Sequence, residues 1–159
     1  MPASRLRTAM TAVSLAVMVG GPAATAGAPA VAAGTAMPAH VYSPYFETWT
    51  TDGITTTAQQ SGARYFTLAF LETTGKTSCT LAWNGVASQT VPTGRYLSDI
   101  ASLRAGGGDV IPSFGGWSAD QGGTEIGDSC KDVGMIVAAY QSVITTYDVT
   151  RLDMDIEGR

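Results

Sequence analysis

Strand-like segments alternate with helical segments along this 159-residue chain, and this order constrains the fold more than any other feature. One segment, RYFTLAFLE at 64–72, contains an apolar run and lacks the polar alternation of a strand with one wet face. Such a run is typical of a strand that is covered on both faces. Regular alternation of strands and helices predicts parallel strands joined by right-handed crossovers, and therefore an α/β fold.

The predicted elements follow from apolar periodicity and from the glycines that interrupt it. We predict strands at 41–49, 64–72, 109–117 and 149–158, helices at 53–63, 94–108 and 131–147, and loops at 73–93 and 118–130. In the second helix, apolar side chains recur at helical spacing on one face, at Tyr96, Leu97, Ile100 and Leu103.

Two architectures fit this order: part of a (β/α)8 barrel, or a small doubly wound sheet. A barrel typically needs about 250 residues, roughly twice the length of the segment after residue 40. The sequence closes on a strand, whereas a doubly wound domain would normally end with a covering helix. We therefore expect a truncated chain that holds about the first four β/α units of a (β/α)8 TIM barrel.

The first 26 residues have the three parts of a secretory signal peptide. Arg5 and Arg7 precede the apolar run 9–21, and small residues at 24–26 offer a cleavage site. The apolar run is too short to span a bilayer comfortably. We expect a signal peptide at 1–26, an Ala/Gly/Pro-rich linker at 27–40, the partial barrel domain at 41–159, and secretion to the extracellular space.

Charge and histidine content limit the function. Nine Lys and Arg against 13 Asp and Glu give a net charge of −4, with no basic patch, so neither nucleic acid nor a membrane is an expected partner. The single histidine, His40, lies in the linker, which argues against a Ser-His-Asp triad.

Cys79 and Cys130 form an even pair, which in an exported protein predicts one disulfide. The bond would close a loop of about 50 residues and contribute about 4 kcal/mol on the chain-entropy model. Two free thiols are the alternative. Neither a CxxC spacing nor a nearby histidine accompanies them, so we expect no metal site here.

The segment LDMDIE at 152–157 places carboxylates at alternate positions. In a strand, Asp153, Asp155 and Glu157 would share one face, with Leu152, Met154 and Ile156 on the other. In a barrel, the apolar face would pack outward against helices and the acids would point inward. Mutual repulsion and lost hydration would then keep at least one acid protonated near neutral pH, as a general acid requires. Glu157 comes last, at the strand end where barrel enzymes place their chemistry.

Two other interpretations of these acids remain open. An edge strand can carry a solvated acidic face. The segment DMDIEG also resembles the start of an EF-hand loop, with acids at positions one, three and five and glycine at six. The intervening Met154 and Ile156 are typical of a strand, and the acid required at position twelve would lie beyond Arg159.

The third predicted strand ends in SFGGW, where Ser113 is followed by Gly115 and Gly116. Glycines at a strand end let a backbone or a ligand approach closely. This SxGG strand followed by a DxDxE strand resembles glycoside hydrolase family 18, the chitinases and endo-β-N-acetylglucosaminidases. PYFETW at 44–49 resembles the aromatic first strand of that family, and the resemblance covers about residues 42–159. One departure is that Thr150 and Arg151 stand where the longer family motif has Asp-Gly.

The resemblance implies a retaining mechanism in which the substrate's own N-acetyl group is the nucleophile, an exception to the two-carboxylate scheme. Glu157 would protonate the glycosidic oxygen, Asp155 would orient the acetamido group, and Asp153 would hold and polarise Asp155. Tyr45 and Ser113 resemble the residues that hydrogen-bond this acidic pair. No cofactor is implied.

Aromatic and acidic residues near other strand ends have two possible roles. Trp49 and Trp117 would either stack on sugar rings or pack in the core, and Trp83 has the weaker claim to a sugar contact. Glu47 and Glu72 would either reach the cleft or be solvated.

The expected function is that of a secreted chitinase-like glycosidase acting on β-1,4-linked N-acetylglucosamine, with chitin or its oligosaccharides as partners. The alternatives are an endo-β-N-acetylglucosaminidase on N-glycans and a non-catalytic chitin-binding lectin, against which the intact Glu157 argues. The later family strands supply a tyrosine and a tryptophan to the site, so we expect residues 41–159 alone to be inactive and poorly soluble.

Overall fold

The computed structural model describes residues 36–157. The predicted signal peptide and most of the predicted linker lie outside these residues. The elements in chain order are β1 (Tyr45–Glu47), α1 (Ile54–Ser61), β2 (Tyr65–Thr73), β3 (Leu81–Trp83), α2 (Leu97–Ala105), β4 (Asp109–Gly115), α3 (Trp117–Gly122), α4 (Ile126–Ser129), α5 (Val133–Tyr147) and β5 (Asp153–Asp155). In this part of the chain, every helix is too short or too polar to cross a membrane.

Four strands form a parallel sheet in the order β1-β2-β4-β5. Each new parallel strand is added on the same side as the one before, which is how a barrel grows. A doubly wound sheet instead reverses direction after its first strands. The structure therefore confirms the α/β barrel class, and the doubly wound alternative is dropped.

The region predicted as a loop at 73–93 contains a further strand. β3 pairs antiparallel with the upper part of β2, from Leu71 opposite Trp83 to Thr73 opposite Leu81. β1 contacts only the lower part of β2, through Thr67 to Ala69, so β3 occupies the edge above it. The loop prediction was wrong here because three residues are too few to show a period. The region predicted as a loop at 118–130 likewise contains most of α3 and all of α4, two helices that are too short to show a helical period in the sequence.

The strands β1 and β5 and the helix α2 differ most from their predicted bounds, and each is shorter than predicted. β1 and β5 have three residues each. Pro44 has no N–H for a ladder, and its carbonyl accepts from the Thr67 amide just before β1 begins. Tyr96 is not on the helical face of α2 but precedes it, with φ of +70°. Its ring still packs edge-on against Trp83.

The hydrophobic core lies between the sheet and the helices, around Phe66, Leu68, Ile100, Phe114 and Val143. Phe114 of β4 contacts the Tyr140 ring of α5 at 4.8 Å between centroids. The outer face of β5 differs from the prediction, because Met154 and Ile156 are exposed. Among the described residues β5 is an edge strand of the sheet, and α5 leaves these two side chains uncovered.

The predicted disulfide is present between Cys79 and Cys130, 51 residues apart in sequence. On the chain-entropy model, closing such a loop contributes about 4 kcal/mol to stability. The same region is held by Thr73, whose hydroxyl lies 2.8 Å from that of Ser129 and 3.0 Å from the Thr124 carbonyl. Together these contacts attach the loop after β2 to α4.

A buried ion pair closes the opposite end of the sheet. The Arg104 Nε atom donates to Asp109 at 2.9 Å, and its Nη2 atom donates to the carbonyls of Tyr147 and Asp148. Arg104 thus ties the end of α2 to the start of β4 and to the end of α5.

Candidate active site

The register of β4 and β5 brings the two sequence motifs together. Ser113 lies opposite Asp153, and Gly115 lies opposite Asp155. Side chains alternate along a strand, so the serine and both carboxylates share the inner face of the sheet, while Phe114 and Met154 face outward. Both aspartates are half-buried.

Asp153 is held by side chains from two other strands. The Ser113 hydroxyl donates to Asp153 Oδ2 at 2.7 Å, and the Tyr45 hydroxyl donates to the same oxygen at 3.0 Å. Tyr45 comes from β1, at the far side of the sheet from β5. These two donors fix the orientation of one carboxylate in the middle of the inner face.

The Tyr45 hydroxyl stays protonated over a wide pH range. Burial of the phenol, its hydrogen bond to Asp153 and the negative charges of Asp153 and Asp155 all raise the pKa of Tyr45, while the Ser113 contact lowers it. A neutral phenol can donate its proton to a carboxylate, whereas a phenolate cannot. Tyr45 is therefore suited to a permanent donor role.

The two glycines after Ser113 are required by their neighbours. Gly115 has φ of +96°, and a Cβ there would lie 2.4 Å from the Asp155 carbonyl oxygen. Gly116 has φ of +84°; its N–H donates to that carbonyl at 2.8 Å, and a Cβ there would lie 2.7 Å from the Phe70 ring. Both positions need a residue without a side chain, because the β5 backbone and an aromatic ring approach so closely.

An aromatic cluster lies beside the acidic pair, and its central member was not predicted. The Phe70 ring lies 5.8 Å from that of Tyr45 and stacks on Trp49 at 6.2 Å with an interplanar angle of 22°. Strict alternation would place Phe70 on the outer face with Leu68. The register of β2 shifts between Leu68 and Leu71, and this irregularity moves Phe70 toward the site.

Glu157 lies outside the strand. β5 ends at Asp155, so the strand carries two of the three acids and Glu157 follows two residues later. Its side chain is exposed. This position is at the carboxyl end of the parallel sheet, the end that carries the active site in barrel enzymes.

The tryptophans divide into two groups. Trp49 and Trp117 are exposed beyond the ends of β1 and β4, so both are accessible to a ligand. Trp83 is fully buried and donates from Nε1 to the Tyr147 hydroxyl at 2.8 Å, which makes it a core residue. Burial raises the pKa of Tyr147 to about 12, although the hydrogen bond from Trp83 opposes the shift.

The remaining candidates are placed as follows. Glu47 is exposed at the end of β1. Glu72 is buried and accepts from the hydroxyls of Ser118 and Thr124. His40 is exposed. Arg151, at the position where the motif departs, donates to the carbonyls of Met37 and Pro38 and so anchors the start of the described chain.

Nothing in this geometry supports a cation loop. Asp153–Asp155 is a strand paired with β4, not a loop that wraps an ion. Within residues 36–157, no group of three or more His, Cys, Asp or Glu side chains is arranged to hold a metal.

Sequence comparison finds two relatives that are named as chitinases. The chain is 34% identical over 125 residues to the probable bifunctional chitinase/lysozyme of Escherichia coli (strain K12), and 32% identical over 126 residues to endochitinase 11 of Metarhizium anisopliae. Each match covers 77% of this chain, but only 13% and 22% of the respective relative. No model of a known protein family matches the sequence.

Structural comparison gives the same result. The catalytic domain of a hyperthermophilic chitinase from Pyrococcus furiosus matches with a TM-score of 0.68 and 29% identity, over 80% of this chain and 40% of that one. Active domain 2 of a thermostable chitinase from the same organism, a catalytic-site mutant complexed with chito-oligosaccharides, matches with a TM-score of 0.63 and 28% identity, over 74% and 37% of the two chains. Fold and site therefore define part of a (β/α)8-barrel glycoside hydrolase domain. The described residues form part of a chitinase-like domain of glycoside hydrolase family 18.

Proposed function

We propose that the protein containing these residues hydrolyses β-1,4-linked N-acetylglucosamine chains, with retention of configuration and with assistance from the substrate. One observation carries the proposal. Asp153 is fixed by two hydroxyl donors on the same inner face as Asp155, at the carboxyl end of a parallel sheet. A carboxylate locked in this way can orient its neighbour, which is what substrate assistance requires.

In this proposal Glu157 is the general acid. It gives its proton to the glycosidic oxygen as the bond to the anomeric carbon breaks, and water later returns a proton to it. Glu157 lies at the end of β5, where its side chain is exposed and within reach of a bound glycan.

Asp155 and Asp153 act on the acetamido group of the sugar. As the acetyl carbonyl oxygen attacks the anomeric carbon, positive charge develops on the resulting oxazolinium ring. Asp155 accepts a hydrogen bond from the acetamido N–H and stabilises that charge. Asp153, held by Tyr45 and Ser113, keeps Asp155 in the required orientation.

The two exposed tryptophans, Trp49 and Trp117, supply stacking faces for sugar rings. Both follow strand ends at the face that carries the acids. We propose chitin and its oligosaccharides as the ligands, and no cofactor is needed because the substrate provides the nucleophile.

We also propose that the protein is exported. The basic, apolar and small-residue regions of 1–26 support this, and the Cys79–Cys130 bond fits an oxidising compartment. Most of the matched Pyrococcus chain has no counterpart in these residues, since the match covers 40% of it. For this reason we propose that the 159-residue polypeptide by itself does not hydrolyse chitin.

The decisive variant is Glu157→Gln in the full-length protein. The substitution keeps the size of the side chain and removes its proton, so we expect kcat to fall by about 10³-fold or more with the Kd for chito-oligosaccharides nearly unchanged. Glu47→Gln is the matched control, an exposed glutamate at the end of β1 to which the mechanism gives no role. Near-normal turnover by Glu157→Gln would refute the assignment. Binding of chitin without hydrolysis by the unmodified protein would instead indicate a lectin.

A further inference from the structure

A bulge interrupts β2 beside the candidate active site. Leu68 and Leu71 both pair with β4, but the two residues between them, Ala69 and Phe70, lie opposite a single residue of β4. A bulge of this kind inserts one residue into one strand and turns a side chain in a new direction, and bulges are frequent next to active sites. Here the side chain that changes direction is Phe70, which regular alternation would place on the outer face.

The ring of Phe70 is confined between two residues of the candidate active site. On one side its centroid lies 5.8 Å from that of Tyr45, whose hydroxyl donates to Asp153. On the other side lies Gly116, where an added Cβ would come within 2.7 Å of the Phe70 ring. The position of Phe70 therefore determines where the Tyr45 ring can lie.

The backbone of the bulge is held from both neighbouring strands. On the β1 side, the Ala69 carbonyl accepts from the Thr48 N–H at 2.9 Å and from the Thr48 hydroxyl at 2.6 Å. On the β3 side, the Phe70 carbonyl accepts from the N–H of Asn84 at 2.9 Å. The Thr48 hydroxyl also lies 3.1 Å from Asn84 Oδ1, so the side chain of Thr48 joins the two anchors of the bulge.

Thr48 is itself fixed in place. The residue is 2% exposed, and its carbonyl accepts from the Tyr96 hydroxyl at 2.9 Å. A β-branched side chain has few rotamers available, and water has little access to replace a hydroxyl at this depth. The mechanism proposed above gives Thr48 no role.

We propose that Thr48 is a positioning residue for the candidate active site. Its hydroxyl holds the bulge in the form that directs Phe70 inward, and Phe70 holds the ring of Tyr45. The Tyr45 hydroxyl in turn keeps Asp153 oriented. Thr48 thus acts on the acidic pair through two other side chains and contacts no substrate. The effect on catalysis rests on the proposed function, whereas the effect on the Tyr45 hydroxyl does not.

Thr48→Val is the test variant, because valine has the shape of threonine without its hydroxyl. The Ala69 carbonyl keeps the backbone N–H of residue 48 as a donor, so no buried carbonyl is left unpaired and the variant should fold. Thr48→Ser restores the hydroxyl and is the rescue variant. Thr57→Val is the matched control, since it removes a partly buried threonine hydroxyl that donates to the Gly53 carbonyl in α1.

The first measurement is the pKa of the Tyr45 phenol in the full-length protein, followed by carbon NMR of labelled tyrosine, with Tyr45→Phe to assign the signal. Burial and the hydrogen bond to Asp153 raise this pKa above the ordinary value of 10.0. In Thr48→Val the ring loses its support, so the pKa of Tyr45 should fall toward 10.0 and return in Thr48→Ser. An unchanged pKa in Thr48→Val, or an equal fall in Thr57→Val, would overturn the proposal.

The second measurement is kcat and KM of the full-length protein for a chitobiose glycoside. In Thr48→Val, kcat should fall by up to about 10-fold, the effect of one hydrogen bond to a charged group. KM should stay within about twofold, because the acids that Tyr45 orients act in the transition state. Thr48→Ser should recover most of the lost activity, and Thr57→Val should match the unmodified protein.

A double variant tests the route through Tyr45. In the Tyr45→Phe protein, the further change Thr48→Val should alter kcat by less than about twofold, because the hydroxyl through which Thr48 acts is already absent. An equal loss of kcat with and without the Tyr45 hydroxyl would mean that Thr48 acts by another route and would overturn the proposal. Undiminished kcat in the single variant Thr48→Val would also overturn it.

Failure of this inference and failure of the proposed function give different results. If the unmodified protein hydrolyses no chitobiose glycoside, the proposed function fails, and the pKa of Tyr45 in Thr48→Val still decides whether Thr48 positions the phenol. If the unmodified protein is active and that pKa does not move, the proposed function stands and the positioning role of Thr48 is wrong.

Discussion

Tyr45→Phe removes one hydroxyl group from the candidate active site and leaves the ring that contacts Phe70 at 5.8 Å. The lost hydroxyl donates to Asp153 at 3.0 Å, and a hydrogen bond to a charged group contributes about 1.5–3 kcal/mol. Tyr45 is 54% exposed, so water can partly replace the hydroxyl and the lower limit applies. A loss of about 1.5 kcal/mol of transition-state stabilisation corresponds to a fall of about 10-fold in kcat/KM.

Ser113→Ala removes the second donor to the same oxygen of Asp153, and its effect should be larger. This hydrogen bond is shorter, at 2.7 Å, and Ser113 is fully buried, so water has no access to replace it. The upper limit of about 3 kcal/mol corresponds to a fall of roughly 100-fold. Because both hydroxyls act through Asp153, the loss in the double variant should differ from the sum of the single losses.

The assay is release of a fluorogenic group from a chitobiose glycoside by the full-length protein, over a range of substrate concentrations and pH. Tyr42→Phe is the matched control, because it removes the same hydroxyl group from a tyrosine that is 81% exposed at the surface. Undiminished kcat/KM in Tyr45→Phe and Ser113→Ala, together with undiminished activity in the double variant, would refute the role given to Asp153.

Three further predictions concern stability, measured by urea unfolding. Gly115→Ala should lower the free energy of unfolding by at least about 2 kcal/mol, because φ is +96° and the new Cβ would lie 2.4 Å from the β5 backbone. The control is Gly75→Ala, where no atom lies within 4 Å of the new Cβ, and it should lower the free energy of unfolding by less than about 0.5 kcal/mol. Arg104→Ala should lower the free energy of unfolding by about 3–5 kcal/mol, because it leaves the buried Asp109 carboxylate without its ion-pair partner. Replacing both Arg104 and Asp109 by apolar residues should restore most of that stability. The folded state holds the Tyr147 proton up to a pKa of about 12, above the ordinary value of 10.0, so the free energy of unfolding should fall by about 2–3 kcal/mol as the pH rises from about 10 to about 12. The Tyr147→Phe variant should lack this decrease.

Part of the site could be predicted from the sequence because its residues sit in short, regular motifs. The SxGG and DxDxE spacings indicate two strands, and the parallel register of β4 and β5 then places Ser113 opposite Asp153. The disulfide between Cys79 and Cys130 could be predicted from the even number of cysteines and from the predicted export of the chain.

Other features depend on tertiary structure and leave no local pattern. Phe70 joins the site because β2 changes register between Leu68 and Leu71, and alternation alone puts it on the wrong face. β3 has three residues, and the contact of Glu72 with Ser118 depends on where α3 packs against β2. The exposure of Met154 and Ile156 was missed because a strand pattern does not say which neighbours cover it.

The anomeric configuration of the first product tests the central claim most directly. The full-length protein would be followed by proton NMR from the first seconds of chito-oligosaccharide hydrolysis, before the new reducing end equilibrates. A site in which Asp155 orients the acetamido group and Glu157 supplies the proton predicts that the β anomer forms first. Initial formation of the α anomer would mean that water attacks directly, and the roles assigned to Asp153, Asp155 and Glu157 would be wrong.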